Sequence, residues 1–75
     1  MATLAMWTVY ENQKDYPDKF VARRFEVDAS GPVPTASVII CDDLDQLRDV
    51  LFSELHLTCL ARDPNDEPQI VETWI

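Results

Sequence analysis

The chain has 75 residues, of which 47% are hydrophobic, and a formal net charge of −8 at pH 7. A chain of this length supports only one hydrophobic core, so we predict a single domain over residues 1–75. Because binding to phosphates needs clustered lysines and arginines, the excess of 14 acidic over 6 basic residues argues against nucleic acid or an anionic membrane as a partner.

The first half of the chain predicts two strands and favours a third. The run MWTVYE at residues 6–11 is rich in β-branched and aromatic residues, which favours a first strand. The polar connection NQKDYPD leads to a second predicted strand over residues 19–28. The segment ASGPVPT at residues 29–35 contains the only glycine and two prolines, and it predicts a loop before a short third strand, SVII, at residues 37–40. Met6 is a candidate natural start, so we expect residues 1–5 to form a loose N-terminal extension.

A helix is predicted over residues 43–55. Asp43 and Gln46 have the spacing of a capping box, and Asp45 lies in the first turn, near the positive end of the helix dipole. Leucines recur at spacings of three and four residues, which is a helical stripe that should pack on the sheet; they are Leu44, Leu47, Leu51 and Leu55. The segments LTCLAR (57–62) and QIVETWI (69–75) predict the last two strands, joined by a turn at DPNDEP.

This order of elements predicts an α+β fold, namely a small antiparallel sheet of four to five strands with one helix packed on one face. The uncovered face of such a sheet is normally polar, but several strands here are apolar on both faces. Trp7, Trp74, Phe20 and Phe25 supply more aromatic surface than one short helix can bury. Either the long loops fold back over this surface, or the uncovered face or an edge strand forms an interface with a second copy or another protein.

Two adjacent arginines lie in the second predicted strand, within FVARRFEV at residues 20–27. In a regular strand Arg23 shares the more apolar face and Arg24 the other face, whereas a bulge at the two arginines would send both outward. Carboxylates in the predicted strands favour cross-strand ion pairs over an anion site; the candidates are Glu11, Glu26 and Glu72. The residues predicted for an interaction surface are Trp7, Phe20, Arg23, Arg24, Glu72 and Trp74.

Patterns for catalysis and metal binding are weak. The only histidine, His56, lies at the predicted end of the helix, and no third group is evident to orient it toward Cys59 as a nucleophile. Cys41, His56 and Cys59 lack the paired short spacing of structural zinc sites. The segment DPNDE begins like an EF-hand loop, but Pro68 stands where the turn glycine should be and Trp74 where the bidentate glutamate should be. We therefore predict no catalytic residue, metal ligand or cofactor, and we expect that the protein is not an enzyme.

The location predicted from the sequence is cytoplasmic. No run approaches the ~18 apolar residues of a membrane span, the first residues lack a secretory signal, and Cys41 and Cys59 are expected to be free thiols. The segments MWTVYEN, YPDKFVARRFEV, GPVPT, DLDQLRDVL and DEPQIVETWI together resemble a family of small uncharacterised bacterial proteins, some of them phage-associated. This likeness covers most of residues 6–75. It implies a bacterial cytoplasmic setting and a start at Met6, and it implies no activity, ligand or catalytic residue.

The function predicted from the sequence is protein–protein contact by a small, acidic, non-enzymatic domain, with another protein or with a second copy in a homodimer. An alternative is a small-molecule or anion-binding protein that uses Arg23 or Arg24. A second alternative is an acidic mimic of nucleic acid that blocks a basic protein. Residues 41–75 hold nine acids and two bases, whereas residues 1–40 hold five acids and four bases. Mimicry also requires the acids to be spaced like phosphates along one surface.

Overall fold

The computed structural model describes residues 4–60 and 70–75, which form an antiparallel sheet of five strands with one helix packed on it. The strands are β1 (Leu4–Gln13), β2 (Tyr16–Asp28), β3 (Gly31–Cys41), β4 (Cys59–Leu60) and β5 (Ile70–Trp74), and their order in the sheet is β3-β2-β1-β5-β4. The helix α1 (Leu44–Asp49) continues directly into a π-helical segment (Val50–Glu54). The antiparallel sheet and the single helix are confirmed, and the fold is richer in strand than predicted.

The strands in the first half of the chain are longer than predicted. β1 reaches Gln13 and β2 begins at Tyr16, so the predicted connection NQKDYPD is strand except for a turn of two residues. β1 begins at Leu4, inside the predicted loose extension, and Leu4 pairs with Val27. β3 begins at Gly31 and includes both prolines of the predicted loop, with Pro32 opposite Val27 and Pro34 opposite Phe25. An edge strand accepts prolines because their missing N–H groups can face away from the ladder. Residues 1–3 and the predicted turn at DPNDEP lie outside the described residues.

The core lies between the helix and one face of the sheet. Leu47 and Leu51 have no exposed surface, and Leu44 packs partly buried beside them. Burying a leucine fully stabilises a fold by about 1.5–3 kcal/mol relative to leaving it exposed. The predicted packing of the helical stripe on the sheet is therefore confirmed for these three leucines. The buried residues of this cluster are Trp7, Val9, Ala22, Leu47, Leu51 and Trp74.

The helix begins as predicted and ends differently. The Oδ1 atom of Asp43 accepts a hydrogen bond of 2.9 Å from the backbone N–H of Asp45, which caps the first turn. After Asp49 the helix widens, and the backbone N–H of Leu55 donates to the carbonyl of Val50 at 3.2 Å. His56 then adopts a left-handed conformation with a φ of 54°. This residue ends the helix at the position where proteins most often use glycine.

Replacing His56 with glycine should raise the stability of the protein. A left-handed backbone costs a residue with a Cβ atom roughly 1–2 kcal/mol, and glycine avoids that cost. We expect a gain of about 1 kcal/mol, which corresponds to an increase in Tm of about 4–8 °C for a domain of this size. Ser53→Gly is the matched control, because glycine inside a helix should lower stability by about 0.5–1 kcal/mol. A lower Tm for His56→Gly in thermal unfolding would contradict the strain assigned to His56.

Candidate functional site

The two adjacent arginines lie on opposite faces of the sheet. β2 pairs with β1 without a break from Phe20 to Val27, so its side chains alternate regularly between the faces. The irregularity lies on the other side of β2, where Arg23 pairs with Val38 but Phe25 pairs with Pro34. The extra residues of this bulge belong to β3. The alternative in which a bulge in β2 sends both arginines outward is therefore wrong.

Arg24 lies on the face of the sheet that carries the helix, on the same side of β2 as the buried Ala22. Its Nη1 atom is 3.5 Å from the Oε1 atom of Glu26, two residues further along the same strand. The predicted cross-strand partner for Arg24 is thus replaced by a partner within β2. Both side chains of this pair are partly exposed, so the pair contributes at most about 1 kcal/mol to stability.

Glu72 forms the most connected polar cluster of the described residues. It is only 7% exposed and lies in β5 beneath α1. The Nε atom of Arg48 is 3.0 Å from Oε1, and Arg48 Nη2 is 3.1 Å from Oε2. The indole N–H of Trp74 donates to Oε1 at 3.0 Å. Burial raises the pKa of Glu72, but the hydrogen bonds from Arg48 and Trp74 and the charge of Arg48 outweigh it, so the pKa is lowered.

This cluster ties the helix to the sheet and leaves no carboxylate oxygen of Glu72 unbound. The arrangement is therefore suited to stability. The sequence did not predict Arg48 as the partner of Glu72, because the two residues are 24 positions apart. One signal was available, since Arg48 comes four residues after Leu44 and three before Leu51 and so borders the apolar stripe of the helix.

Half of the residues predicted for an interaction surface are in the core. Trp7 and Trp74 lie opposite each other on β1 and β5 and are only 8% and 6% exposed. Glu72 is buried beside them, and Phe20 packs partly buried against the same cluster. A partner therefore cannot reach either tryptophan or Glu72. Arg23 and Arg24 are both partly exposed, on opposite faces.

The face of the sheet that points away from the helix carries Arg23 among apolar side chains. We call this surface the open face, because none of the helices and strands within residues 4–60 and 70–75 packs on it. Its rim is exposed at Leu4 and Ile40, and its centre is buried at Thr8 and Val21. Along β1, β2 and β3 the strand alternation assigns thirteen residues to it; they are Leu4, Met6, Thr8, Tyr10, Lys19, Val21, Arg23, Phe25, Val27, Pro32, Pro34, Val38 and Ile40. None of these residues is a carboxylate. Lys19 lies at the edge of this face and pairs with Asp42, and Thr73 of β5 lies opposite Thr8.

Arg23 lies in the middle of the open face, with Thr8 opposite it on β1 and Val38 opposite it on β3. Of the three arginines within the described ranges, Arg23 alone has no carboxylate within ion-pair distance. Two of the predicted partners of Arg23 lie elsewhere: Glu11 pairs with Phe20 and faces the helix-bearing side of the sheet, and Glu72 is bound to Arg48. In this part of the chain, the predicted ion pair of Arg23 is therefore wrong.

Comparisons of the chain with models of protein families, with curated proteins and with solved structures gave no match. The resemblance to small bacterial proteins therefore stays a prediction. Within the described part of the chain, no helix is long and apolar enough to cross a membrane. In the same residues, no three His, Cys, Asp or Glu side chains come together as a group that could hold a metal ion. Cys41 and Cys59 are free thiols, as the sequence predicts.

Proposed function

We propose that the protein is a non-enzymatic binding module whose open face docks another protein. The observation that carries this proposal is an apolar sheet face without carboxylates in a chain whose net charge is −8. Acidic side chains would make such a face well hydrated. Their absence from its strands leaves apolar surface that a partner can cover. The buried centre at Thr8 and Val21 provides a packed base, and the exposed rim at Leu4 and Ile40 provides contact area.

A non-enzymatic role is supported by the environment of the two cysteines. Burial and the charge of Asp42 raise the pKa of the Cys41 thiol. Burial and the charge of Glu72 raise the pKa of the Cys59 thiol. Because the thiolate is the nucleophilic form, both shifts disfavour cysteine catalysis at neutral pH. The free thiols also support the cytoplasmic location that we propose.

An anion-binding function has less support. Arg23 and Arg24 lie on opposite faces of the sheet, so a single anion cannot contact both. An anion site would therefore rest on one arginine, without the second cation or the backbone donors that strong anion sites combine.

Mimicry of nucleic acid also has less support, because the acids near the start of the helix have local roles. Asp42 pairs with Lys19, and Asp43 caps α1. Asp45 lies 3.8 Å from Arg48. Capping and local pairing account for these three carboxylates without a basic partner.

Site-specific photo-crosslinking tests the proposed function. The photoreactive amino acid p-benzoylphenylalanine is placed at Ile40, which lies on the open face and is 44% exposed. The matched control places it at Val33, which lies in the same strand on the opposite face and is 53% exposed. We expect irradiation in cells of the source organism to give one discrete protein adduct from position 40 and none from position 33. Equal adducts from both positions, or no adduct from position 40, would overturn the proposal.

A further inference from the structure

We infer that the partner of the open face is a different protein that presents apolar side chains around one carboxylate, and that this carboxylate pairs with Arg23. The inference rests on the proposed function and adds the chemistry of the partner to it. The observations that carry it are the charge of the open face and the position of Arg23 within that face.

Covering Arg23 with another protein has a cost in free energy. The side chain of Arg23 is half-buried between Thr8 and Val38. Among the described residues, the other charge on this face is Lys19 at its edge, and Lys19 is paired with Asp42. A protein that covers this face removes the water around the guanidinium group. A buried guanidinium without a partner is strongly unfavourable, so the covering surface must supply an acceptor. A carboxylate is the best match, because it can accept two parallel hydrogen bonds from the guanidinium group.

A second copy of the chain is a poor partner for the open face. In a two-fold symmetric interface the same surface lies on both sides, so the acceptor for Arg23 would have to come from the open face itself. The strands of the open face carry no carboxylate, and Asp42, which follows β3 at its edge, is paired with Lys19. A face-to-face dimer would therefore bury two arginines without an uncommitted acid, and each copy would also bring a net charge of −8. A different protein avoids both problems.

The position of Arg23 on the open face defines where the carboxylate of the partner would lie. Thr8, Arg23 and Val38 form one row across β1, β2 and β3. Partly exposed side chains with large apolar parts lie before and after this row, at Met6 and Phe25 and at Tyr10, whereas Val21 opposite Tyr10 is fully buried and only supports this surface from below. The fitting surface is an aspartate or glutamate with apolar neighbours on both sides. This arrangement gives orientation as well as affinity, because only one register of the partner brings the carboxylate to Arg23.

Zero-length crosslinking tests for this carboxylate. A water-soluble carbodiimide joins an amine to a carboxylate in contact with it but does not couple arginine. We would treat fresh lysate of the source organism, supplemented with the tagged Arg23→Lys protein, with the carbodiimide. The controls are the unaltered protein and Arg24→Lys, whose new amine lies on the other face. We expect an additional adduct with Arg23→Lys alone, containing the same partner as the photo-adduct from position 40 and joined through an aspartate or glutamate.

Charge reversal gives an independent readout. In the Arg23→Glu background the photo-adduct from position 40 should fall about tenfold or more, since two carboxylates would then meet. In the Arg24→Glu background it should persist. If the photo-adduct forms but neither Arg23 variant behaves as expected, the carboxylate inference is overturned and the proposed function stands. If position 40 gives no adduct, both fail. An adduct of twice the monomer mass would identify a second copy and overturn the choice of partner.

Discussion

Replacing Leu47 with alanine should unfold the protein or leave it close to unfolding. Leu47 has no exposed surface and packs in the core between α1 and the sheet. Truncating a buried leucine costs about 2–5 kcal/mol, because it loses burial and leaves a cavity. A chain of 75 residues has a total stability of only about 4–11 kcal/mol by the usual value per residue. Urea denaturation followed by circular dichroism measures the change directly.

Phe52→Ala is the matched control for this experiment. It removes a larger side chain from the same helical region, but Phe52 is 67% exposed. Exposed substitutions of this kind usually change stability by no more than about 0.5 kcal/mol. If Leu47→Ala kept the denaturation midpoint of the unaltered protein, the packing of α1 on the sheet would be wrong.

Replacing Arg48 with methionine should have the second largest effect, a loss of about 1–3 kcal/mol at neutral pH. The substitution removes the charged donor from Glu72, which remains buried with the indole N–H of Trp74 as its main donor. Asp45→Ala is the control, because it removes the exposed and longer contact of Arg48, at 3.8 Å, together with the favourable acid in the first turn of α1. That control should lower stability by at most about 1 kcal/mol.

The effect of Arg48→Met should also depend on pH. The pKa of Glu72 is lowered in the folded protein, so its ionised form stabilises the fold above the ordinary glutamate pKa. That contribution is lost as the pH falls through the lowered pKa of the folded state. The difference in stability between the unaltered protein and Arg48→Met should therefore shrink from about pH 7 to about pH 3. A difference that stays constant over this range would show that Arg48 acts through packing alone.

Local patterns predicted the elements whose signals lie close together in the sequence. The spacing of Leu44, Leu47 and Leu51 located the helix, and Asp43 located its first turn. The edge position of β3 could not be predicted, because it depends on which strands lie beside it. Pro32 and Pro34 therefore indicated a loop, although an unpaired edge accepts them in a strand.

The candidate site was predicted only in part, for a similar reason. Strand alternation placed Arg23 on the more apolar face, and the pairing of β1 with β2 agrees with it. The sequence could not decide which face of the sheet the helix covers, so Trp7 and Trp74 were assigned to an interaction surface although they form the core. Glu72 was assigned there too, because its partner Arg48 approaches from a distant part of the chain.

The strand order has a consequence for how the chain folds while it is being synthesised. β1 is the first of the five strands to leave the ribosome, and its partner β5 is the last. The β1–β2–β3 meander can pair early, but Trp7 remains without Trp74 opposite it until β5 has emerged. Apolar surface on the nascent chain is thus uncovered until β5 follows, and during that interval aggregation and chaperone binding compete with folding. Chains that stop short of β5 should be the species that the cell's proteases remove first.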